Sequence, residues 1–302
     1  GYSIIVILFY SDLPCLLSRF KFLILVFLCL CQNVLSVSAA ANESSTKLES
    51  KARSVEVTVT SEQITIDGIL DESIWNTAPK IGDLIQREPD TGQPISEKTE
   101  ITLLRDADNL YVGVVAYDTE PDKIIGTTMQ RDPSLRSEDR VSVLLDTFRD
   151  RRNAFYFSTN PAGALLDGLV FGNQDLNTDW DAIWDVRTKR TDQGWTAEFS
   201  ISFKSLNFPK SQDIWGFNIL RSIYRKPEEA VWAGASLEST FLHVSEAGEI
   251  ANMKDLHQGI GLDVRPFVAT SWLYTKETGD SDFDFEPGLD IFYNITPSLK
   301  LT

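Results

Sequence analysis

The 302-residue sequence has few of the side chains that build thiolate, redox and imidazole sites. Its three cysteines, Cys15, Cys29 and Cys31, all lie near the N-terminus, and its two histidines are His243 and His257. If the N-terminal segment is removed on export, the remaining chain has no disulfide, no thiolate zinc site and no cysteine nucleophile. The shortage of histidine also disfavours a metal site built from several imidazoles.

The N-terminal segment has the three parts of a secretory signal peptide. Arg19 and Lys21 precede a short apolar run at 22–30, and small residues follow at 36–41. A transmembrane anchor is the alternative, but the apolar run is short for a bilayer. We therefore predict an exported protein, located in the periplasm or at the cell surface and cleaved within the small-residue segment.

Neither end of the sequence resembles a natural terminus. No methionine precedes Met129, and residues 299–302 resemble the start of a strand. We expect this chain to be part of a longer protein.

The formal net charge is −16 at pH 7. An acidic protein repels nucleic acid and anionic lipid headgroups, so neutral carbohydrates and cations are better candidate partners. A well-solvated acidic surface explains the same charge without any partner.

The patterning predicts an all-β protein. Short alternating segments are separated by turn signals such as Asp67-Gly68 and Asn160-Pro161-Ala162-Gly163. This spacing favours an antiparallel, jelly-roll-like β-sandwich. One short helix is expected at 72–78, with Asp71 as its cap and Trp75 packed inward. The predicted strands are 101–104, 110–117, 141–146, 154–159, 164–171, 184–188, 195–203 and 215–221.

A different pattern begins near Gly259. The even positions of 260–274 and the odd positions of 283–295 are mostly apolar, and the opposite positions of the second run are acidic. Long strands with one apolar face and one polar face are typical of outer-membrane barrels. An amphipathic soluble hairpin has the same periodicity, so the alternation alone leaves both interpretations open.

Several segments resemble family 9 carbohydrate-binding modules. They include Ile66-Asp67-Gly68-Ile69-Leu70-Asp71-Glu72-Ser73-Ile74-Trp75, Asp108-Asn109-Leu110-Tyr111-Val112-Gly113, Asp139-Arg140-Val141, Leu145-Asp146-Thr147 and Gly194-Trp195-Thr196-Ala197-Glu198. The residues after Gly259 resemble the opening of a predicted outer-membrane barrel domain that often follows such modules. The resemblance implies a sugar-binding β-sandwich. Members of the family hold sugar between two tryptophans and carry calcium, but those tryptophans have no residue-by-residue match in this sequence.

Candidate sugar contacts therefore follow from chemistry. A pyranose needs an aromatic platform and planar polar side chains that bond adjacent hydroxyls. Trp180 is either a platform or a packed rim residue, and Trp184, at the start of a strand, favours the core. Arg131, Asp132 and Asp139 can bond hydroxyls or form a structural ion pair. Asn160, before Pro161, is a further candidate contact or a turn residue.

The same region supplies candidate calcium ligands. Asp175, Asn177, Asp179 and Asp181 alternate along the chain, and oxygen ligands suit calcium. The segment is not an EF-hand, because Trp180 occupies the glycine position. A solvated acidic loop is the alternative to a calcium site.

No catalytic motif is present in the sequence, neither G-x-S-x-G nor H-E-x-x-H nor a phosphate loop. A glycosidase needs a carboxylate pair that sequence alone does not identify. Related sandwiches bind haem, which needs axial Met, His or Cys ligands. In the sequence beyond the N-terminal segment, the only residues of these types are Met129, Met253 and the two histidines. A non-catalytic module of the kind associated with glycoside hydrolases is favoured over both.

Together these observations predict glycan capture at the cell envelope, in carbohydrate breakdown or uptake. The alternative is an outer-membrane barrel protein whose sandwich is a plug or assembly domain without sugar binding. The predicted organisation is an uncertain upstream leader at 1–18, a signal peptide at 19–41, a linker at 42–54, a carbohydrate-binding sandwich at 55–258 and the first strands of a truncated barrel at 259–302.

Overall fold

The structure is a computed structural model that describes residues 53–259, 262–275, 280–296 and 299–301. The leader, the signal peptide and nearly all of the linker lie outside the described residues, so these remain predictions from sequence. Within the described ranges, no helix is both long and apolar enough to cross a membrane.

The regular secondary structure of the described residues is almost entirely β-strand, as the patterning predicts. The regular elements are β1 (Ser54–Glu56), β2 (Thr58–Val59), α1 (Ser73–Thr77), β3 (Lys80–Ile81), β4 (Ile85–Glu88), β5 (Thr99–Arg105), β6 (Asn109–Tyr117), β7 (Arg140–Asp146), β8 (Ala154–Thr159), β9 (Leu166–Phe171), β10 (Asp175–Asn177), β11 (Trp184–Thr191), β12 (Gly194–Ser202), β13 (Trp215–Ile223), β14 (Glu228–Val231), β15 (Gly248–Ala251), β16 (Leu262–Thr275), β17 (Asp280–Thr296) and β18 (Leu299–Leu301). Short 3-10 turns lie at Pro121–Lys123, Phe203–Ser205 and Val244–Glu246. The eight predicted strands are confirmed to within three residues at each end.

Two sheets form the sandwich. The larger has the order β1-β15-β13-β7-β8-β9-β10, with β14 joining β13 to β4. The smaller has the order β11-β12-β6-β5-β2, with β3 also paired to β5. Neighbours are antiparallel except for β1 with β15 and β2 with β5. The predicted fold class is thus confirmed.

The central core lies between the two sheets and follows from the alternation of each strand. Val141, Val143 and Leu145 of β7 point inward, and Val112 and Phe199 of the smaller sheet face them from the other side. Trp195 and Trp215 are almost fully buried in this core.

Each sheet also has an outward face that is partly covered. On the smaller sheet, helix α1 places Trp75 in a second apolar cluster, where its ring approaches Gly113 so closely that an added Cβ would lie 2.7 Å from it. The expected cap is wrong, because Glu72 rather than Asp71 occupies the N-cap position. The Glu72 carboxylate instead accepts a hydrogen bond from the Trp75 indole at 3.0 Å.

On the larger sheet, a third apolar cluster covers the outward side. Leu144, Tyr156 and Leu220 of the sheet pack there with Phe241 and Val244 from the segment after β14. This segment covers only part of the face, and the uncovered part forms the candidate site described below.

Strands β16 to β18 form a separate three-stranded sheet. The register pairs Trp272 with Phe283 and Pro266 with Leu289, so the apolar positions of both strands share one face, as predicted. On the other face, Phe267 is paired with Gly288, and its ring lies where a Gly288 side chain would project, 2.1 Å from an added Cβ.

Candidate functional site

A cleft of about 700 Å³ opens on the outward face of the larger sheet. Its floor includes Ser142 of β7, Tyr156 of β8 and Leu220 of β13. These residues reach the cleft because their strand neighbours, such as Val141 and Phe155, point into the central core. Residues 132–136 form one wall and residues 240–243 form another.

One end of the cleft is charged. Glu229 accepts a hydrogen bond from Arg87 at 2.5 Å and another from Arg140, and Arg87 also pairs with Glu88 at 2.7 Å. Burial alone would raise the pKa of Glu229, but the two guanidinium groups outweigh it and lower that pKa. The carboxylate is therefore ionised and held between two planar cations.

The rest of the floor is apolar or internally hydrogen-bonded. Tyr156 and Phe241 meet edge to face with ring centroids 6.2 Å apart. The Tyr156 hydroxyl lies 3.0 Å from the Ser142 hydroxyl, which lies 2.8 Å from that of Ser158. The polar atoms of this floor therefore bond mainly to one another.

The rim of the cleft supplies further polar groups, among them Asp132, Gln174, Asp175 and His243. The Thr240 backbone N–H donates to Nδ1 of His243 at 2.9 Å. Because Nδ1 accepts this bond, the neutral ring holds its proton on Nε2, which is left as a donor.

Trp180, the predicted platform, does not line the cleft. Its half-buried ring packs on Phe155 at 5.1 Å and near Phe157 at 6.3 Å, at the edge of the central core. Trp184 lies deeper, 8% exposed, and stacks on Phe199 at 6.0 Å. Both rings thus contact the core, and Trp180 keeps part of its surface exposed.

Arg131 joins three acids at the same edge of the sandwich. Its guanidinium donates to Asp167 at 2.5 Å and to Asp181 at 3.0 Å, and it lies 3.5 Å from Asp132. The ion-pair alternative therefore describes its contacts in this structure. Among these acids, Asp132 also borders the cleft.

The remaining predicted contacts, Asp139 and Asn160, are buried. One Asp139 oxygen accepts from the Ile125 backbone N–H at 2.8 Å, and burial raises the pKa of this acid. The Asn160 amide donates to Glu138 and to the Thr128 carbonyl, and its oxygen accepts from two backbone N–H groups of the following turn. With an exposure of 0%, Asn160 serves as a turn residue here.

The four predicted calcium ligands do not converge. Asp175 and Asn177 lie on β10, Asn177 accepts from the Asp179 backbone N–H at 2.9 Å, and Asp181 bonds to Arg131. In the described part of the chain, no group of three or more acidic, histidine or cysteine side chains is arranged to hold a metal ion. Calcium binding at these residues stays a prediction.

The residues that build the charged end of the cleft were not predicted from sequence. Arg87 and Glu229 are 142 positions apart, and Arg140 belongs to a third strand. Alternation along β7 and β8 places Arg140 and Tyr156 on the outward face. This alternation is the sequence pattern that could have indicated them as cleft residues. Tyr156 and Phe241 were not predicted, because the expected platform was a tryptophan.

Two buried acids elsewhere have shifted pKa values. Burial raises the pKa of Glu198 to about 7, although the backbone N–H groups of Asp67 and Gly68 both donate to it at 3.1 Å. Burial would also raise the pKa of Glu97, but hydrogen bonds from Lys226, Thr119 and Arg225 lower it to about 2. These acids anchor loops and strand ends away from the cleft.

Residues 66–225 match the model of the carbohydrate family 9 binding domain-like family, more than half of the chain, and the protein belongs to that family. No protein of curated function is significantly similar to the chain.

One solved structure supports the fold. A protein from Bacteroides uniformis ATCC 8492, named only provisionally as carbohydrate-binding, has a TM-score of 0.55 at 11% identity, covering 66% of this chain and 99% of that one. A family 9 module from Caldicellulosiruptor kristjanssonii gives a TM-score of 0.48 at 19% identity in its complexes with cellotriose and with glucose. Each complex covers 66% of this chain, and 93% and 95% of the module, respectively.

Proposed function

We propose that the sandwich binds carbohydrate in the cleft on the outward face of the larger sheet. The observation that supports this most directly is the cleft itself, which combines planar charged groups with aromatic and aliphatic side chains in a member of a carbohydrate-binding family. Its volume of about 700 Å³ is within the range of small-ligand sites.

The charged end suits sugar hydroxyls. Arg87 and Arg140 present fixed N–H donors, and Glu229 between them is an acceptor, so adjacent hydroxyls can be bonded by neighbouring groups. The Nε2 proton of His243 adds a donor at the rim. The Tyr156 and Phe241 rings provide limited aromatic surface, since they are only 7% and 9% exposed. We therefore expect modest affinity governed by hydrogen bonds.

We further propose that the protein captures glycan at the cell envelope, without catalysing its hydrolysis, in carbohydrate breakdown or uptake. The predicted signal peptide supports export, and the family supports the partner. Calcium, if it binds, is a structural ion in this proposal and has no part in sugar contact.

The sheet of β16 to β18 supports a membrane attachment. Val264, Val268, Trp272, Phe283, Phe285 and Leu289 are all exposed and apolar. From Val264 to Trp272 the strand rises about 26 Å, and a tilt of about 40° gives about 20 Å of apolar height, close to the apolar band of an outer-membrane barrel. We propose that this face meets lipid.

The exposed apolar face of the sheet of β16 to β18 also favours a second candidate function. A protein whose main activity lies in a membrane barrel can use the sandwich as a plug or assembly domain that binds no sugar. Sugar titration discriminates the two, because only the first requires an occupied cleft.

The test is calorimetric titration of the protein with xylo-, gluco- and manno-oligosaccharides, with and without calcium. We expect binding to at least one series, and a tenfold or larger loss of affinity in Arg140→Gln. Arg149→Gln is the matched control, since Arg149 pairs with Glu249 outside the cleft. If no series binds under either condition, sugar binding by the sandwich is refuted and the plug interpretation is favoured.

A further inference from the structure

We infer that the cleft selects glycans carrying an O-acetyl group, whose methyl group is apolar, over the same glycans with free hydroxyls. The inference rests on the proposed sugar binding and adds a preference within that ligand class. It follows from how polar and apolar groups are divided along the floor of the cleft.

The strand register arranges the outward-facing residues of the sheet in rows, and Arg140, Glu229, Ser142, Leu220 and Leu166 of these rows line the cleft. Glu229 is paired with Ser222 and Ser222 with Arg140, which makes the charged row. The next row along the strands is Val231, Leu220, Ser142, Ser158 and Leu166. Rows two residues apart are separated by about 7 Å, so a sugar ring bonded at the charged row extends over the second.

The second row offers little to a hydroxyl. Ser142 is bonded to both Tyr156 and Ser158, and the Ser158 hydroxyl also reaches the Val141 carbonyl at 3.2 Å. The three hydroxyl protons are therefore used within this set and on the Val141 carbonyl, and Ser142 and Ser158 are fully buried beneath the cleft. A ligand hydroxyl placed over this row loses water without gaining an equivalent partner, which is unfavourable.

Apolar side chains at this end are accessible to a ligand. Leu166, Leu176 and Leu242 are each half-buried and line the cleft with Phe241. Leu176 packs over Gly168, where an added Cβ would lie 2.9 Å from its methyl group. These residues form an apolar surface at which a methyl group is removed from water, while Asp175 and Gln174 keep the rim polar.

The size of the preference follows from the area involved. Burying one methyl group strengthens binding about fourfold, and a hydroxyl left unpaired in the unsubstituted ligand widens the difference to about tenfold. The preference acts through the substituent, so it adds to whatever affinity the charged row provides.

The test compares O-acetylated xylo- and manno-oligosaccharides with the same samples after mild alkaline deacetylation, titrated into the full chain by calorimetry. We expect the acetylated form to bind about fourfold to tenfold more tightly. Leu176→Ser should reduce that ratio to about one. Leu237→Ser, at an exposed apolar position outside the cleft, should keep the wild-type ratio.

The outcomes separate the two proposals. Equal affinity for acetylated and deacetylated ligands overturns the substituent preference and leaves sugar binding intact. If neither form binds, the proposed sugar binding fails, and this inference fails with it. Because the central comparison is between two ligands, it does not depend on any variant folding correctly.

Discussion

The carboxylate of Glu198 accepts a hydrogen bond from the backbone N–H of Gly68 at 3.1 Å, across 130 positions of the sequence. Gly68 has a positive φ of 86°, and a side chain there would approach the Thr188 backbone at 3.0 Å. This contact fastens the segment before α1 to strand β12. It also places a fully buried acid beneath a loop, which makes the stability of the protein depend on pH.

We predict that Glu198 destabilises the fold as pH rises. The pKa of Glu198 is about 7 in the folded protein and 4.5 in the unfolded chain. Between pH 4.5 and pH 7 the carboxyl group is therefore ionised in the unfolded chain and still protonated in the folded protein. The contribution of Glu198 to the free energy of unfolding is therefore fully present below pH 4.5. It falls between pH 4.5 and pH 7 and does not change further above pH 7. Glu198→Gln should remove this dependence, worth up to about 3 kcal/mol.

The measurement is the free energy of unfolding in urea at several pH values for Glu198→Gln, wild type and the exposed control Glu238→Gln. From pH 4.5 to pH 7, the free energy of unfolding of Glu198→Gln should increase relative to that of the wild type. A difference that does not change with pH contradicts the prediction.

The opposite pH dependence is expected from Glu97. Its carboxylate lies 2.7 Å from Arg225 and 2.5 Å from Lys226, and its pKa is about 2. The stabilisation is present above pH 4.5 and is lost as pH falls towards 2. Glu97→Gln should cost about 2–3 kcal/mol at pH 7 and progressively less in acid, measured by the same denaturation. An equal cost at pH 7 and pH 3 would show that packing, not charge, is responsible.

Trp180 offers a test between platform and packing. Because its ring covers Phe155 and Phe157 outside the cleft, Trp180→Ala should lower stability by about 3 kcal/mol and leave glycan affinity within about twofold. Thermal unfolding and calorimetry on the same sample measure both effects. Loss of binding in a folded variant would instead support the platform predicted from sequence.

The exposed indole of Trp272 reports on the proposed lipid contact. It is 75% exposed, whereas the six other tryptophans are buried or half-buried in the sandwich. Adding detergent micelles or phosphatidylcholine vesicles should shift its fluorescence emission to shorter wavelength. Trp272→Phe should abolish the shift. An unchanged spectrum for the wild-type protein contradicts insertion of this face.

Local patterns predicted most of the fold, because each strand of the sandwich alternates between core and outside. β8 lies at its predicted bounds, 154–159, while β9 begins two residues later than expected. Strands β3 and β14, of two and four residues, were not predicted, since so short a segment has no measurable period. The helix cap was placed one residue early because Asp is a preferred N-cap residue, whereas Glu72 occupies that position without a capping hydrogen bond from its side chain.

The candidate site was less predictable than the fold. The charged end of the cleft depends on Arg87, Arg140 and Glu229, which come together only through strand pairing between distant segments. The sequence reveals which face of its own strand each residue occupies, but it does not reveal which strands become neighbours. Trp180 stood out in sequence because it lies among acids, yet its contacts are with the core.

The ring of Phe267 over Gly288 restricts how β16 and β17 can pair. A slip of two residues would place the ring over Glu286 or Asp290 and leave Gly288 uncovered, and a slip of one would exchange the two faces of the sheet. The pairing of Phe267 with Gly288 therefore favours the observed strand register. Of the registers considered, only the observed one sets the ring against a residue without a side chain and keeps the apolar positions of both strands on one face.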